Sequence, residues 1–527
     1  MAGAPLGTDR SLWRFDRVAM ALVFLGALFF FTRANTFPFY GHADEPGKAE
    51  QVLYGKRNFN HPVLMLNSAA LVNAVVGQKD DFNRATLIGR WAVAAYAAGA
   101  VALLSLLVAR LMGDLSVPMR GLVFATSGLV IASTPQLVEF AHYFKEDPVL
   151  CFGLAAFLVA AEAFGRRPSR GTLLALVLAM SLAASGKYLG ALVLPLGLWL
   201  IWRRASPSWW SYRVPVLVAA GAVFLLGFFL INYQGIRGIE SLADSIVEET
   251  QKSLDRPDGI DRPIPNSMGW TMLVETTTRP IWLFLIAGLG SLLLAWRRLR
   301  PVEVFLVLIP LVFAVIICFT DKMAERYFLP VSTLVSCIAA IGLIRLAQWG
   351  AHRQPRGRVF VAGALALIGA GLVIQSRAAT IQNFWQQHEG DPRRDMVIFI
   401  RDHLPDDAKI LSDKRARLPN AEQPENNVYR IDFPQEVVLA EHSQFAADYA
   451  PFEELKARGI THVALCEPDW GRFFINDGQQ PISSTDPKVL SRIAFYSQVL
   501  KQGRLVWESP AREINIVWPG LRLYELP

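Results

Sequence analysis

Apolar segments alternate with polar connections from residue 18 to residue 375. A helix needs about 20 mostly apolar residues to cross the hydrocarbon core of a membrane. Eleven segments approach that length, near residues 18–34, 86–112, 119–135, 147–164, 171–186, 188–202, 214–232, 280–296, 302–319, 328–347 and 359–375. We therefore predict an α-helical polytopic membrane domain over residues 1–375, with about 11 transmembrane helices.

The polar connections form two sets that alternate along the chain. One set is short and rich in arginine, and its members are Arg110/Arg120, Arg166/Arg167/Arg170, Arg203/Arg204/Arg213, Arg297/Arg298/Arg300 and Arg345/Arg353/Arg356/Arg358. Cytoplasmic loops carry an excess of arginine and lysine, so we expect this set in the cytoplasm. The other set carries both signs of charge and comprises the first large loop, 35–85, and the segments 142–147, 233–279 and 320–326. We predict that this set lies on the trans side, which is the periplasmic or extracellular side of the cell membrane.

Residues 376–527 have the composition of a soluble domain. The runs 409–412 and 461–466 are typical of short strands, and 452–458 is typical of a helix that ends before Gly459. The segment 417–428, rich in Pro, Asn and Glu, is predicted as a loop. We therefore predict a small soluble α/β domain, and an odd number of spans places it on the trans side.

The overall composition is that of a membrane protein and argues against a nucleic-acid partner. The 527 residues are 53% hydrophobic and 18% charged, whereas soluble domains carry about 25% charged residues. The net charge of +7 comes with arginine clusters in the short connections, which indicates membrane topology rather than a nucleic-acid-binding surface. Three of the four cysteines fall in apolar segments, so no disulfide framework is predicted.

Acidic, basic and aromatic residues are dense between residues 37 and 68. Asp44 and Glu45 are neighbours there, and the basic residues that follow them are Lys48, Lys56, Arg57 and His61. We interpret this stretch as a reaction site at the membrane surface, where Asp44 removes a proton and basic groups hold a phosphate. The alternative is an ordinary solvated loop. Because neighbours on a helix project about 100° apart, Glu45 is expected to have a separate role, such as binding a metal or capping a helix.

Other charged residues on the predicted trans side have both a functional and a structural interpretation. Asp147 either belongs to the site or caps a helix, because an acidic residue followed by proline is common at the beginning of a helix. Lys187 lies where two spans meet, and it either belongs to the site or reaches toward the membrane surface. The segment 321–330 is either part of the site or an interfacial anchor.

A divalent metal ion at this site is one hypothesis, with Asp147, Glu45 and His142 as its ligands. The sequence has no local metal-binding spacing such as HExxH. It also has no phosphate-binding loop, no dinucleotide-binding glycine pattern and no GxSxG nucleophile motif. No other cofactor is therefore predicted.

Five short motifs together resemble those of GT-C fold glycosyltransferases that use polyprenyl-phosphate sugars, the superfamily of protein O-mannosyltransferases and aminoarabinose transferases. The motifs are GHADEPGKAE, NFNHPVLML, YFKEDP, ASGKYLGALVLP and RYFLP, and the resemblance covers about residues 15–375. Each motif is short, but their order and their common predicted side of the membrane make the set fairly specific. The C-terminal domain is similar to the soluble domains that some members carry, although it has no motif of its own.

The resemblance implies an inverting transfer of a sugar from a polyprenyl-phosphate donor to a lipid, glycan or protein acceptor of the cell envelope. Asp44 matches the catalytic base, and Glu45 beside it is the second residue expected in the catalytic pair. The residues expected to hold the lipid phosphate are Lys48, His61, Lys187, Arg326 and Tyr327. Two features depart from the family pattern: a single proline follows His61, and the segment 233–279 has no matching motif. Its candidate phosphate ligands are Arg237, Arg262 and Arg279.

Two functions from other classes compete with this hypothesis. A membrane transporter or lipid flippase with a charged trans-side cavity would also place charges between its spans. Such proteins tend to have inverted repeats and broken helices at mid-membrane, whereas this sequence shows no internal repeat. The other alternative is a membrane receptor that uses the C-terminal domain as its binding module.

Overall fold

The computed structural model describes most of the chain as a helical bundle followed by a small mixed domain. The described residues are 10–35, 42, 44–76, 81–113, 115–204, 213–254, 279–295, 298–319, 325–351, 358–387, 390–421, 423, 429–475, 478–511 and 518–527. The α-helices of the bundle are α1 (Arg10–Thr32), α2 (Glu45–Tyr54), α3 (Leu64–Val76), α4 (Phe82–Leu111), α5 (Val117–Ala132), α6 (Pro135–Ala141), α7 (Asp147–Arg166), α8 (Arg170–Gly186), α9 (Val193–Arg204), α10 (Arg213–Ile231), α11 (Gln234–Arg237), α12 (Ile239–Leu254), α13 (Arg279–Leu294), α14 (Pro301–Cys318), α15 (Leu329–Gly350) and α16 (Arg358–Gln387). Two 3₁₀ turns, Tyr188–Leu192 and Glu325–Phe328, lie next to helix ends in this region.

Each of the eleven apolar segments predicted from the sequence coincides with a helix, which confirms the α-helical polytopic fold. Seven described helices are long and apolar enough to cross a membrane: α1, α4, α7, α10, α14, α15 and α16. An eighth span results if α5 and α6, which meet at a 73° bend, are counted as one. The remaining predicted spans correspond to α8, α9 and α13, which have 17, 12 and 16 residues and fall short of the length that the sequence pattern suggested.

Close packing of α7 against α8 brings the beginning of one helix to the end of the other. A Cβ atom at Gly153 on α7 would lie 2.5 Å from the Cα atom of Ala183 on α8. Near the end of α8, a Cβ atom at Gly186 would lie 2.8 Å from the backbone nitrogen of Leu150. Since only glycine permits this approach, Asp147 at the start of α7 lies next to Lys187, which follows α8.

The arginine-rich connections meet at the opposite end of α7. Glu162 pairs with Arg110 at 3.4 Å and with Arg166. Arg300 donates a hydrogen bond to the carbonyl oxygen of Arg110 at 3.3 Å. The 20 residues of α7 correspond to about 30 Å of helix. The arginines and the Asp147 turn are therefore separated by roughly the thickness of a membrane, as the alternation of connections predicts.

The C-terminal residues form a small α/β unit around one mixed sheet. Its α-helices are α17 (Pro392–His403), α18 (Glu467–Trp470) and α19 (Pro487–Gln502), and its strands are β1 (Lys409–Ser412), β2 (Glu436–Leu439), β3 (His462–Cys466), β4 (Phe474–Ile475), β5 (Gln480–Pro481), β6 (Arg504–Ser509) and β7 (Leu521–Glu525). The main sheet has the order β2-β1-β3-β7-β6, in which β1 is parallel to β2 and β3, and β7 is antiparallel to β3 and β6.

The strands predicted at 409–412 and 461–466 are present as β1 and β3. The helix predicted at 452–458 is instead a pair of 3₁₀ turns, Phe452–Glu454 and Lys456–Arg458. The chain forms two separate turns here, and Gly459 ends the second turn with a φ of 77°. The helix α16 runs to Gln387, past residue 375, where the sequence composition begins to change.

Candidate active site

Charged side chains from four separate segments converge at one end of the bundle. The segments are the beginning of α2, the turn 142–147 before α7, the residues that follow α8, and the 3₁₀ turn before α15. The side chains that they contribute are His42, Asp44, Glu45, Lys48, Lys145, Glu146, Asp147, Lys187, Arg326 and Tyr327. These segments are the ones that the sequence motifs single out, and the structure brings them together.

Asp44 is the carboxylate of this cluster that is open to solvent. It lies at the N-terminal boundary of α2 without capping the helix through its side chain. It forms a salt bridge with Lys145, yet 45% of its side chain is exposed. Burial alone would raise the pKa of Asp44, but the charges of Lys145 and Lys48 hold that pKa well below its usual value. Asp44 is therefore an ionised and accessible carboxylate.

His42 lies between Asp44 and Arg326. Its Nδ1 atom accepts a hydrogen bond from the backbone N–H of Asp44 at 3.1 Å, and its Nε2 atom lies 3.3 Å from Nη1 of Arg326. Burial, reinforced by the charge of Lys145, holds the pKa of His42 well below its usual value. The neutral imidazole thus lies between the Asp44 backbone and the Arg326 guanidinium without adding a charge.

Glu45 is buried, and both of its carboxylate oxygens are engaged. Arg90 on α4 binds them through two parallel hydrogen bonds of 2.8 and 2.7 Å. The backbone N–H groups of Phe144 and His42 also donate to Glu45, at 3.0 and 3.2 Å. Glu45 therefore ties α2 to α4 and to the turn before α7. As expected for neighbouring residues, it points away from the environment of Asp44, and this contact set suits a positioning role better than a share in proton transfer.

Three lysines in the cluster are nearly inaccessible to solvent, and each pairs with a carboxylate. Lys48 pairs with Glu146, and Lys187 pairs with Asp147 at 2.6 Å. Lys145 pairs with Asp44 and lies 3.8 Å from Glu146. When all three lysines are protonated, they and Arg326 place four positive charges beside three carboxylates, apart from the separate Glu45–Arg90 pair.

The burial of these lysines changes their acidity. Burial, reinforced by the charge of Arg326, lowers the pKa of Lys145 to about 8. Burial and the charge of Lys145 also place the pKa of Lys48 well below its usual value. An anion that enters the cluster would favour the protonated form of both lysines. The site is therefore poised to bind a negatively charged group.

Tyr327 lies between two of the cations. The Lys187 ammonium is 4.6 Å from the centroid of its ring, and the Arg326 guanidinium is 5.2 Å from the same centroid. A cation over an aromatic face is stabilised by the ring quadrupole. This arrangement accounts for the adjacent Arg-Tyr pair in the sequence. Asp321 and Lys322, which precede it, lie outside the described residues.

His61 borders the cluster on a loop that two hydrogen bonds secure. The Tyr188 hydroxyl donates to the carbonyl oxygen of Phe59 at 2.8 Å, and the backbone N–H of Val63 donates to Asn232 at 2.8 Å. Burial, then the charges of Lys187 and Lys48, hold the pKa of His61 well below its usual value. His61 is thus a neutral hydrogen-bonding group rather than a cation.

Four other basic candidates either have a structural role or cannot be placed. Arg57 donates to the carbonyl oxygen of Gln51 and so closes the end of α2. Arg262 and the side chains of Arg237 and Arg279 lie outside the described part of the chain. Their proposed phosphate contacts therefore stay predictions.

The three residues suggested as metal ligands do not meet around a common point. Glu45 binds Arg90, and Asp147 binds Lys187. His142 has its ring nitrogens 2.6 and 2.7 Å from the carbonyl oxygens of Val138 and Arg33. Within the described ranges, no three His, Cys, Asp or Glu side chains are arranged to hold a metal ion. The donor set of this cluster does not fit a metal, because its carboxylates already face ammonium and guanidinium groups.

Two residues at this site were missed as functional partners by sequence reasoning. Lys145 lies in the YFKEDP motif, but nothing in its local pattern distinguishes it as the partner of Asp44. Arg90 interrupts an apolar segment in the middle of ATLIGRWAVAA. A charged residue inside a span is costly unless it has a partner, so this signal was present for Arg90 and would have predicted a buried carboxylate opposite it.

Comparison with solved structures identifies similar folds. An oligosaccharyltransferase of Archaeoglobus fulgidus in the apo form aligns with 94% of this chain and 80% of its own, with a TM-score of 0.55 and 10% identity. The oligosaccharyltransferase AglB of Archaeoglobus fulgidus, in complex with an inhibitory peptide and a dolichol-phosphate, aligns with 96% of this chain and 80% of its own, with a TM-score of 0.53 and 11% identity.

A third structure, ArnT from Cupriavidus metallidurans bound to undecaprenyl phosphate, covers 98% of both chains with a TM-score of 0.48 and 14% identity. No protein-family model and no curated protein sequence matches the chain. At these identities the likeness to the two oligosaccharyltransferase structures concerns the fold alone.

Proposed function

We propose that the chain, which has the GT-C fold, is an integral-membrane inverting glycosyltransferase. In this proposal it moves a sugar from a polyprenyl-phosphate donor to a lipid, glycan or protein acceptor of the cell envelope. The observation that carries the proposal is the accessible, ionised carboxylate of Asp44 beside four cations at one end of the bundle. A base and an anion-binding group are the two elements that such a transfer needs.

The cations suit the phosphate of a lipid-linked donor. A sugar phosphodiester carries one negative charge, which the buried lysines and Arg326 can offset. When the bond between C1 of the sugar and the phosphate oxygen breaks, its electron pair goes to the phosphate, and Lys187 and Arg326 would offset the added charge. AglB, which has the same fold, was solved with a dolichol-phosphate, and this supports a lipid phosphate as the ligand.

Asp44 is the proposed general base. The acceptor hydroxyl gives its proton to the Asp44 carboxylate while its oxygen forms a bond to C1, opposite the departing phosphate, so the configuration at C1 inverts. A positioned base typically contributes about 10²–10⁴-fold to the rate. The exposed face of Asp44 then allows the proton to pass to solvent.

Other residues of the cluster hold the reacting groups in place. Glu45 and Arg90 fix the beginning of α2, so that Asp44 keeps its position relative to the turn before α7. Lys145 keeps Asp44 ionised before the acceptor arrives. Lys48 adds a further cation beside Glu146, and the neutral His61 would contribute a hydrogen bond rather than a charge. The proposed location of this end of the bundle, and of the C-terminal domain, is the periplasmic or extracellular side, as the arginine-rich connections at the other end indicate.

Transfer by the purified full-length protein in lipid nanodiscs tests the function. Polyprenyl-phosphate sugars with a radiolabelled sugar would be incubated with the protein and an extract of envelope lipids and glycans. We expect label to move to an acceptor while free polyprenyl phosphate accumulates in equal amount, with inverted configuration at C1 of the product. Binding of polyprenyl phosphate without transfer, together with movement of the lipid across vesicle membranes, would contradict the proposal and favour a flippase.

A further inference from the structure

Arg377 is a fully buried arginine in the span formed by α16, and it lies away from the charged cluster. An arginine within a membrane domain is costly unless its charge and its N–H groups are engaged. In the part of the chain that the structure describes, the hydrogen-bond partners of Arg377 are all neutral oxygens. The Arg377 guanidinium therefore differs from the ion pairs of the charged cluster, because it binds uncharged groups.

The partners of Arg377 lie at the end of α5. Its Nη1 atom donates to the carbonyl oxygen of Val130 at 2.8 Å and to the hydroxyl of Ser133 at 3.2 Å. The last carbonyl groups of a helix lack partners within the helix and form the negative end of its dipole. The buried guanidinium of Arg377 thus supplies the end of α5 with both a hydrogen bond and a positive charge.

The same guanidinium also binds the neighbouring span. Its Nη2 atom donates to the hydroxyl of Ser336 on α15 at 3.0 Å. Thr134 donates to that same hydroxyl at 2.8 Å. Ser133 and Thr134 are the two residues between α5 and α6, where the chain bends by 73°. Arg377, Ser336 and Thr134 therefore form one network that holds the bend.

The bend determines where the catalytic turn begins. The helix α6 runs from Pro135 to Ala141 and leads directly into residues 142–147. The helix α16 contacts that turn as well, because the ring of Phe384 lies 4.9 Å from the ring of His142. One helix thus supports α6 at both of its ends, through Arg377 at the bend and through Phe384 at the turn.

We propose that Arg377 is a positioning residue of the active site. It binds the end of α5, sets the direction of α6 and thereby determines where Lys145, Glu146 and Asp147 lie. An arginine suits this position because its planar fork reaches two helices at once, whereas a lysine presents a single point charge. The activity readout of this inference depends on the proposed glycosyl transfer, but the positioning itself does not.

Hydrogen–deuterium exchange of the full-length protein in nanodiscs tests the positioning role. We expect Arg377→Met to accelerate exchange in peptides from residues 134–147 about tenfold, because the bend loses its hydrogen bonds. Arg377→Lys, which keeps the charge, should give a smaller increase in the same peptides. The matched control is Arg345→Met on α15, where the arginine pairs with Glu303 at 3.6 Å near the other end of the bundle. This control should leave peptides 134–147 unchanged.

Ser336→Ala is a milder second variant, since it removes the link to α15 but leaves the contacts of Arg377 with α5. It should accelerate exchange in the same peptides by less than Arg377→Met, and sugar transfer should fall in the same order. Unchanged exchange at 134–147 in the folded Arg377 variants, or an equal rise throughout the bundle, would contradict the positioning role. If the wild-type protein transfers no sugar, the proposed function is wrong, while the exchange data still decide the role of Arg377.

Discussion

The two ends of α7 both carry clusters of cations, but the clusters differ in their burial. At the Asp147 end, Lys48, Lys145 and Lys187 are nearly inaccessible to solvent. At the Arg166 end, the side chain of Arg166 is 46% exposed and faces water. Charge interactions weaken in water and are screened by salt, whereas those in a buried cluster stay strong. The buried lysines are therefore the ones that can act on a bound substrate.

The pairing at the two ends differs as well. Arg110 and Arg166 share the single carboxylate of Glu162, and this pairing joins helix ends. In the Asp147 cluster most carboxylates are covered by their partners, and Asp44 is the one with a large exposed face. The two ends therefore differ in burial and in the exposure of one carboxylate, and it is this difference, rather than the number of charges, that supports the proposed site at the Asp147 end.

Removing one partner of a buried pair should have the largest effect on stability. Lys187→Met leaves Asp147 charged and unpaired, which costs about 3–5 kcal/mol. Arg166→Met at the other end should cost less, because the Arg166 side chain is 46% exposed and the buried Glu162 keeps Arg110 as a partner. The measurement is the free energy of unfolding of each variant in detergent. The double variant Lys187→Met with Asp147→Asn should recover most of the loss, and equal small losses at both ends would contradict the distinction.

Arg326 should contribute mainly to the affinity for the donor. Arg326→Ala removes one charge-assisted contact with the phosphate, so the Kd for polyprenyl phosphate should rise about tenfold. Arg300→Ala, at the arginine-rich end, is the matched control and should leave that Kd within about twofold. Normal binding by a well-folded Arg326→Ala protein would remove Arg326 from the site.

The pH dependence of sugar transfer should follow the loss of the positive charge on Lys145. The pKa of Lys145 is lowered to about 8, so its positive charge is present below that pH and is lost as the pH rises through it. The pKa of Asp44 lies well below its usual value, so Asp44 stays ionised at neutral pH and below. We therefore expect kcat/KM to fall above about pH 8 in the wild-type protein. Lys145→Arg should move this fall to higher pH, because guanidinium keeps its charge; identical profiles would argue against a role for Lys145.

Much of the fold follows from the sequence, because long apolar segments have few alternatives to helices in a membrane. The segments were less informative about helix length, as α8 and α13 end before they reach a full span. In the soluble domain, the strands at 409–412 and 462–466 are apolar runs beside turn residues and are predicted well. The helix expected at 452–458 is not, since the chain forms two 3₁₀ turns there and the second ends at the left-handed Gly459.

The site was only partly predictable for a different reason. The order of the motifs along the chain predicted that Asp44, Lys187 and Arg326 belong to one site. The structure places these residues together. The pairing of Asp44 with Lys145 and of Glu45 with Arg90 depends on how helices pack across more than 40 residues of sequence. Local pattern carries no information about such partners. A charge inside an apolar segment, as at Arg90, indicates only that a partner exists.

The most direct test of the account is the proton acceptor itself. Asp44→Asn keeps the size and most of the hydrogen bonding of the side chain but cannot accept the proton. Transfer from a polyprenyl-phosphate sugar and binding of polyprenyl phosphate would be measured on the same purified preparations. The matched control is Asp81→Asn, an acidic residue elsewhere in the same predicted loop that accepts a 3.0 Å hydrogen bond from the backbone N–H of Arg84. We predict that Asp44→Asn binds polyprenyl phosphate at least as tightly as the wild type while its transfer falls at least about 100-fold, and that Asp81→Asn behaves like the wild type. Transfer by Asp44→Asn at the wild-type rate would contradict the central claim.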